Sequence, residues 1–329
     1  MKANDIVKKL SIRMTSEEEI PKIYLPNEIF QDLSSSTILH KRGSSHIAFA
    51  YSYVYLNYWL YRYCKYNEDN KITREDIKEI LGYGRKYKKL DYIIKKNGLL
   101  DQVGYTATTT DYPISWTLDE DNILHFTTIK DHKAMYGTSP NIQDRNFKVK
   151  FPVKAFHRTE ESQNEQLLDG TFYEIENTHQ IPFEVFLYCM EHDDINCIGF
   201  YLYSYLKCKS DLYKNDVTIS HQRLITETGI RKDCVDRYLE ALMKHKMIDG
   251  DIQQFVMNLP QHLRKANNYK VNKVSDFRIS EVNKRKVISL YNYKKHNPEL
   301  FEEEKNEKAD NGYKNLENRF GLDDSMLPF

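Results

Sequence analysis

A five-residue motif that occurs twice sets the terms on which this chain can fold. Pro-x-Glu-[Ile/Val]-Phe appears as Pro26-Asn27-Glu28-Ile29-Phe30 and again as Pro182-Phe183-Glu184-Val185-Phe186. An aromatic run follows each copy, His46 to Tyr63 after the first and Ile198 to Lys207 after the second. A segment so apolar on every side is expected to be a helix buried at the centre of its domain. Each half then opens a two-helix unit, so the chain reads as two copies of one supersecondary plan.

In the first half the unit is Ile72–Leu100. Thr73 with Asp76 three residues on is close to a capping box, Ile77, Ile80 and Leu81 make an apolar face, and Gly82-Tyr83-Gly84 breaks the helix. A second helix is expected from Arg85 to about Asn97, with Leu90, Ile93 and Ile94 inward and Gly98 as its stop. In the second half Ser220 is the expected N-cap, Leu224 and Ile225 are core, Gly229-Ile230 is the turn, and a longer helix starts at Arg231. Its inner face is Val235, Tyr238, Leu239 and Leu242. Helix, glycine turn and second helix is the helix-turn-helix pattern.

Alternating apolar runs that suit a β wing come next. They are Leu99–Tyr105, Ile114–Leu118 and Ile123–Thr127 in the first half, with Asp119–Asn122 as a hairpin turn. In the second half they are Ile248–Met257 and Tyr269–Val274, joined by the basic segment His262-Leu263-Arg264-Lys265. The expected fold is therefore α+β and mostly α, with two tandem winged-helix domains and a charged C-terminal tail. The divisions are an N-terminal extension (1–19), a first winged helix (20–130), a connector (131–176), a second winged helix (177–275) and a helical, then flexible tail (276–329).

Charge decides what the two recognition helices face. The 48 Lys and Arg balance 48 Asp and Glu, but the balance hides segregation. Six bases and one acid lie between Arg85 and Lys96, while acids outnumber bases nine to four from Glu299 on. On a wheel Arg85, Lys88, Lys89, Tyr92 and Lys96 turn outward from Leu90, Ile93 and Ile94, with Lys86 at the border. Lys is common on any solvated helix, yet the position after a glycine turn is where a helix-turn-helix meets DNA. Arg231, Lys232 and Arg237 lead the second recognition helix, mixed with Asp233, Asp236 and Glu240, a face that suits base reading or protein contact. Arg264, Lys265 and Lys270 would hold phosphate from the wing.

Several classes are excluded by what is missing. There is no GxxxxGK[ST] loop, no His-x-His pair, no GxSxG and no HExxH, so no enzyme is expected and no cofactor. Five cysteines with no CxxC pair fit a reducing compartment, and Cys189–His192–Cys197–Cys208 matches no common zinc module, so no metal is expected. No apolar run of about 18 residues suggests a membrane span, and the N-terminal residues lack an apolar signal core, which points to the cytoplasm.

The segments IPFEVF, GFYLYSYL and TISHQRLITETGIRKDCVDRYLEALMKHKMI, within Ile181–Ile248, resemble the winged helices of bacterial plasmid and phage replication initiators and of DnaD-type primosomal proteins. The resemblance implies binding to repeated double-stranded sites at an origin and recruitment of host replication proteins. Two such domains would follow successive major grooves about 34–36 Å apart. The ending Met326-Leu327-Pro328-Phe329 is similar to the short Leu-Pro-hydrophobic peptides that bind the sliding clamp; docking on its own domain is the simpler use of such an end. A winged-helix transcriptional regulator and a protein-assembly factor are the competing readings. Self-association is left open.

Overall fold

The computed structural model describes residues 1–10, 22–66, 72–138, 147–214, 216–260, 263–282 and 287–301. In chain order the first half runs α1 (Ala3–Lys9), β1 (Lys22–Pro26), α2 (Ile29–Ser34), α3 (Thr37–Arg42), α4 (Ser44–Arg62) and α5 (Arg74–Ile80). A 3-10 turn (Lys88–Leu90), α6 (Asp91–Ile94), α7 (Leu99–Gln102) and β2 (Thr106–Thr109) follow. Then come β3 (Pro113–Leu118), β4 (Leu124–Thr128), α8 (Ile129–Tyr136), β5 (Val149–Pro152), α9 (Val153–Phe156) and α10 (Glu160–Asn164). The second half has β6 (Thr178–Pro182), α11 (Phe183–Glu191), α12 (Asn196–Tyr213), β7 (Val217–Ile219), α13 (His221–Thr228) and α14 (Lys232–Lys244). It ends with β8 (Ile248–Asp251), β9 (Phe255–Val256), β10 (Asn267–Val271), β11 (Val287–Ile288) and α15 (Leu290–His296). The architecture is α+β and mostly α. Among the described residues no helix is long and apolar enough to cross a membrane.

Residues 1–250 and 268–282 make one compact unit, and 251–267 with the chain from 283 onward make a second, smaller one. In the larger unit the two copies of the repeat are joined strand to strand. β1 and β6, each leading into its motif, pair antiparallel from Lys22↔Pro182 to Pro26↔Thr178. Equivalent positions of the two copies meet at Tyr24↔Gln180, so the pairing has a local twofold there. The two aromatic helices then pack on each other. α4 is buried on all sides, as a helix apolar all round must be.

The motif phenylalanines bolt the halves together. Phe30 stacks on Tyr51 of its own half at 5.4 Å and reaches Tyr201 and Tyr205 of the other at 5.5 and 5.3 Å. Phe186 does the reverse, meeting Phe200 at 5.4 Å and Tyr55 of the first half at 5.3 Å. Buried aromatic pairs of this kind add about 0.5–1.5 kcal/mol each beyond their area. The tyrosine hydroxyls find partners inside: Tyr55 Oη donates to the Ile181 carbonyl (3.0 Å), and Tyr51 Oη lies 2.8 Å from His179 Nε2. His179 Nδ1 is 3.1 Å from Asn27 Oδ1, which fixes the tautomer. Asn27 Oδ1 can only accept, so Nδ1 carries the proton and Nε2 accepts from Tyr51.

The expected connector is part of the first half. β5, drawn from it, pairs with β2 from Thr106↔Pro152 to Thr109↔Val149. Its Lys150 is buried and ion-paired with Asp101 of α7 at 2.6 Å. β3 and β4 form the expected hairpin, with Asn122 at φ +60 closing its turn, but they make a separate two-stranded sheet. Leu99–Tyr105, expected as a strand, instead begins with α7. The second helix expected over Arg85–Asn97 shrinks to the 3-10 turn and the four residues of α6. Arg85, Lys88 and Lys89 would repel one another at i,i+3 and i,i+4, and the buried anchors Leu90, Ile93 and Ile94 span little more than a turn.

In the smaller unit β9 and β11 pair parallel, and Val256, Leu259 and Phe301 form a small cluster with Leu263, Leu290 and Tyr293 against it.

Burial, with the Lys207 charge adding to it, pushes His179 down to about 3. The unfolded chain takes up a proton near 6.5 that the native state refuses, so stability falls as pH drops below that value toward 3. Thermal melts from pH 8 to pH 5 should show this loss. His179→Asn should lower stability by about 1–3 kcal/mol at neutral pH and flatten the slope below pH 6.5.

Candidate nucleic-acid interface

The second half builds its helix pair from clear local signals. Ser220 Oγ accepts from Arg223 N at 3.1 Å, and Gly229 closes α13 in the left-handed region at φ +67. A Cβ at Gly229 would lie 3.0 Å from Ile47 Cδ1 and 3.3 Å from Ser34 Cα, so the turn sits flush against α2 and α4. α14 buries Val235, Tyr238, Leu239 and Leu242. Three strands complete the unit in the order β7-β10-β8.

The outer face of α14 changes character along its length. Towards its C-terminal end Lys244 Nζ is paired with Asp194 at 2.9 Å, while the Arg237 guanidinium lies 4.8 Å over the Tyr238 ring and keeps its charge. Arg237 and Lys244 line a surface depression together with Asp193, Asp194 and Glu240. His221 Nε2 stands 2.7 Å from Asp236. At the start, Arg231 and Lys232 are exposed, and neither is in an ion pair among the described residues.

The start of α14 lies against the first half. Arg231 N donates to Ser44 Oγ at 2.9 Å, and its guanidinium would be 3.4 Å from a Cβ at Gly43. Gly43 holds φ +104, a conformation that favours glycine, at the break between α3 and α4. One residue before it, Arg42 lies over the Tyr92 ring at 4.6 Å. Tyr92 Oη in turn meets His46 Nδ1 at 3.1 Å. Burial, and then the charges of Arg42 and Lys89, lower the His46 pKa. Tyr92 and Lys89 from the first expected recognition segment and Arg231 from the second thus meet around one dipeptide, Arg42-Gly43. They are not set one helical turn apart.

His40, Lys41 and Arg42 were not expected at the site. The run His-Lys-Arg-Gly reads in sequence as the basic last turn and glycine stop of a helix, an arrangement with its own dipole rationale. Only the packing of Tyr92 on Arg42 gives it another meaning.

The remaining candidates divide. Lys86, Lys88, Lys89 and Lys96 are exposed. Arg85 is taken by its own half, since its guanidinium bonds Asp76 and, at 2.9 Å, Glu79, which Lys9 also engages. Lys270, on β10, is exposed and close enough to Asp249 to help lower its pKa. Arg264 and Lys265 belong to the smaller unit, where Arg264 Nε donates to the Leu259 carbonyl at 2.9 Å. The β3–β4 turn carries Asp119, Glu120 and Asp121 and would repel phosphate. Met326, Leu327, Pro328 and Phe329 lie outside the described residues. Burial pushes the Cys197 and Cys208 thiols up to about 12, which keeps them protonated and makes them packing groups.

Asp76 is the keystone of α5. Burial alone would raise its pKa, but bonds from Thr73, Lys9 and Arg85 hold its carboxyl well below the usual range, and it closes a capping box with Thr73. Asp76→Ala should cost about 1–2 kcal/mol in chemical denaturation, whereas Arg85→Ala should cost less, because the Arg85 side chain is itself exposed and Lys9 still pairs with Asp76. Compared with known protein families, characterised proteins and solved structures, the chain matches none of them.

Proposed function

We propose that this protein binds double-stranded DNA sequence-specifically, as the replication initiator of a plasmid, phage or mobile element. The observation that carries the reading is the run of exposed, unpaired cations at the start of α14, set on a helix–strand–helix–helix–strand–strand unit. The sheet order β7-β10-β8 around α13 and α14 supports a winged helix in the second half, whose recognition helix would enter the major groove by its N-terminal residues. Lys232 would read base edges there, and Lys88, Lys89 and Lys96 would hold phosphate. On this reading the protein is cytoplasmic and non-enzymatic, and the C-terminal residues recruit a host replication protein such as the sliding clamp. A transcriptional regulator would use the same surface on a promoter, and footprinting separates the two by the array of sites protected.

One observation favours an assembly factor instead. The rest of the outer face of α14 is mixed in sign, with Asp233, Asp236 and Glu240 against Arg237 and Lys244, as a protein-contact surface can be. Fluorescence anisotropy with duplex from beside the coding region, against scrambled duplex, across a salt series, decides between them. DNA binding predicts tighter association with the cognate duplex and log K falling linearly with log salt, by about 0.9 for each phosphate neutralised. Lys88→Ala with Lys89→Ala should weaken both duplexes alike, while Lys232→Ala should narrow the gap between them. No binding to either duplex at low salt would leave the assembly reading standing.

A further inference from the structure

The α3–α4 junction gathers positive charge from three directions. Lys41 and Arg42 stand exposed at the end of α3. Lys89 is near enough to act on His46, and the Arg231 guanidinium arrives at Gly43 from the other half. None of Lys41, Arg42, Lys89 and Arg231 is in an ion pair among the described residues. The same point is the N-terminal, positive end of α4, a helix of 19 residues, and neither α3 nor the first turn of α4 carries an acid. Cations at that end of a helix are repelled by its dipole.

The ordinary use of a basic last turn is to face the carbonyls of its own helix. Arg42 does not serve that end, because its guanidinium lies on the Tyr92 ring. The concentration of charge is therefore unfavourable in the isolated protein and is relieved when an anion arrives.

We infer that Lys41 and Arg42, together with Lys89 and Arg231, form a phosphate-binding site for the DNA backbone, so that both halves grip one stretch of a single duplex. The inference rests on the DNA-binding reading above. It adds residues to the interface and fixes its span: the backbone clamp lies beside Lys232 in sequence and in space, because Arg231 belongs to the clamp. Phosphate contacts set the register in which base contacts are read. A site gathered on one dipeptide lies within one turn of duplex, short of the about 34–36 Å between successive major grooves.

The test is anisotropy of the full chain carrying Lys41→Gln and Arg42→Gln, with the same cognate and scrambled duplexes and the same salt series. Affinity should fall roughly tenfold or more for both duplexes, and the slope of log K against log salt should shrink by about 1.8, two phosphates' worth. Thermal melting of the variant should be unchanged or raised, since two mutually repelling cations have been removed, and this separates lost binding from lost folding. Wild-type protein that binds duplex, with a variant of unchanged affinity and slope, overturns the inference and leaves the DNA reading intact. Wild-type protein that binds neither duplex overturns both.

Discussion

The pairing of β1 with β6 is the constraint on which the larger unit depends. Each strand leads directly into its copy of the Pro-x-Glu-[Ile/Val]-Phe motif, so joining the strands fixes where both phenylalanines go. With Tyr24 and Gln180 at the centre of the ladder, Phe30 and Phe186 both enter the seam between α4 and α12, Phe30 at Tyr51 and Phe186 at Tyr55. Each then touches rings of both halves. Aliphatic side chains would fill the same volume. Tyrosines also place hydroxyls at the edge of the seam, where Tyr51, His179 and Asn27 form a satisfied chain from α4 to the start of the first motif. A buried polar chain of this kind is costly if any member is lost, and it specifies one register of strands and helices over its neighbours.

That seam also determines where the charged surface can be. The turn of the second helix pair is pressed into the first half at Gly229, where a Cβ would meet Ile47 and Ser34 at 3.0 and 3.3 Å, closer than ordinary contact. α14 therefore begins next to the N-terminus of α4, with Arg231 N bonded to Ser44 Oγ and its guanidinium at Gly43, the residue after Arg42. The equal numbers of acids and bases in the chain are reconciled with a cationic patch because the acids are spent elsewhere. Asp76 and Glu79 hold Lys9 and Arg85, Asp91 holds Lys78, and Asp101 holds Lys150. Around Gly43, Lys41, Arg42, Lys89 and Arg231 are in no ion pair among the described residues, and Asp233 is the acid nearest to Arg231 in sequence.

Much of this was legible in the residues, and the exceptions have physical causes. The repeat, the two aromatic helices, the caps at Thr73 and Ser220, the turn at Gly229 and the core face of α14 all follow from local chemistry, and local chemistry placed them. The segment Arg85–Asn97 did not follow, because a helix needs a face to bury, and Leu90, Ile93 and Ile94 offer only one turn of it. Gly98 was recognised as a stop, yet for a reason visible only in three dimensions: a Cβ there would lie 2.7 Å from the Tyr92 carbonyl oxygen. In the connector the alternating run Phe147–Phe151 reads as a strand and is one, β5, but its partner β2 could not be read from local pattern. Arg42 was passed over because a basic residue at a helix end already has an explanation.

Arg85 and Arg42 show what charge counting along a sequence leaves out. Both are exposed arginines on short basic runs, and the wheel favoured Arg85. What separates them is the sign of their neighbours in space. Arg85 faces Asp76 and Glu79, so its charge is satisfied and its removal would expose a carboxylate cluster. Arg42 faces an aromatic ring, which orients a guanidinium without neutralising it. An arginine held in place but left charged is prepared for an external anion, because little side-chain freedom is lost when the anion binds. Such orientation on Tyr92, more than the number of lysines nearby, is what supports the proposal of a phosphate site at the α3–α4 junction.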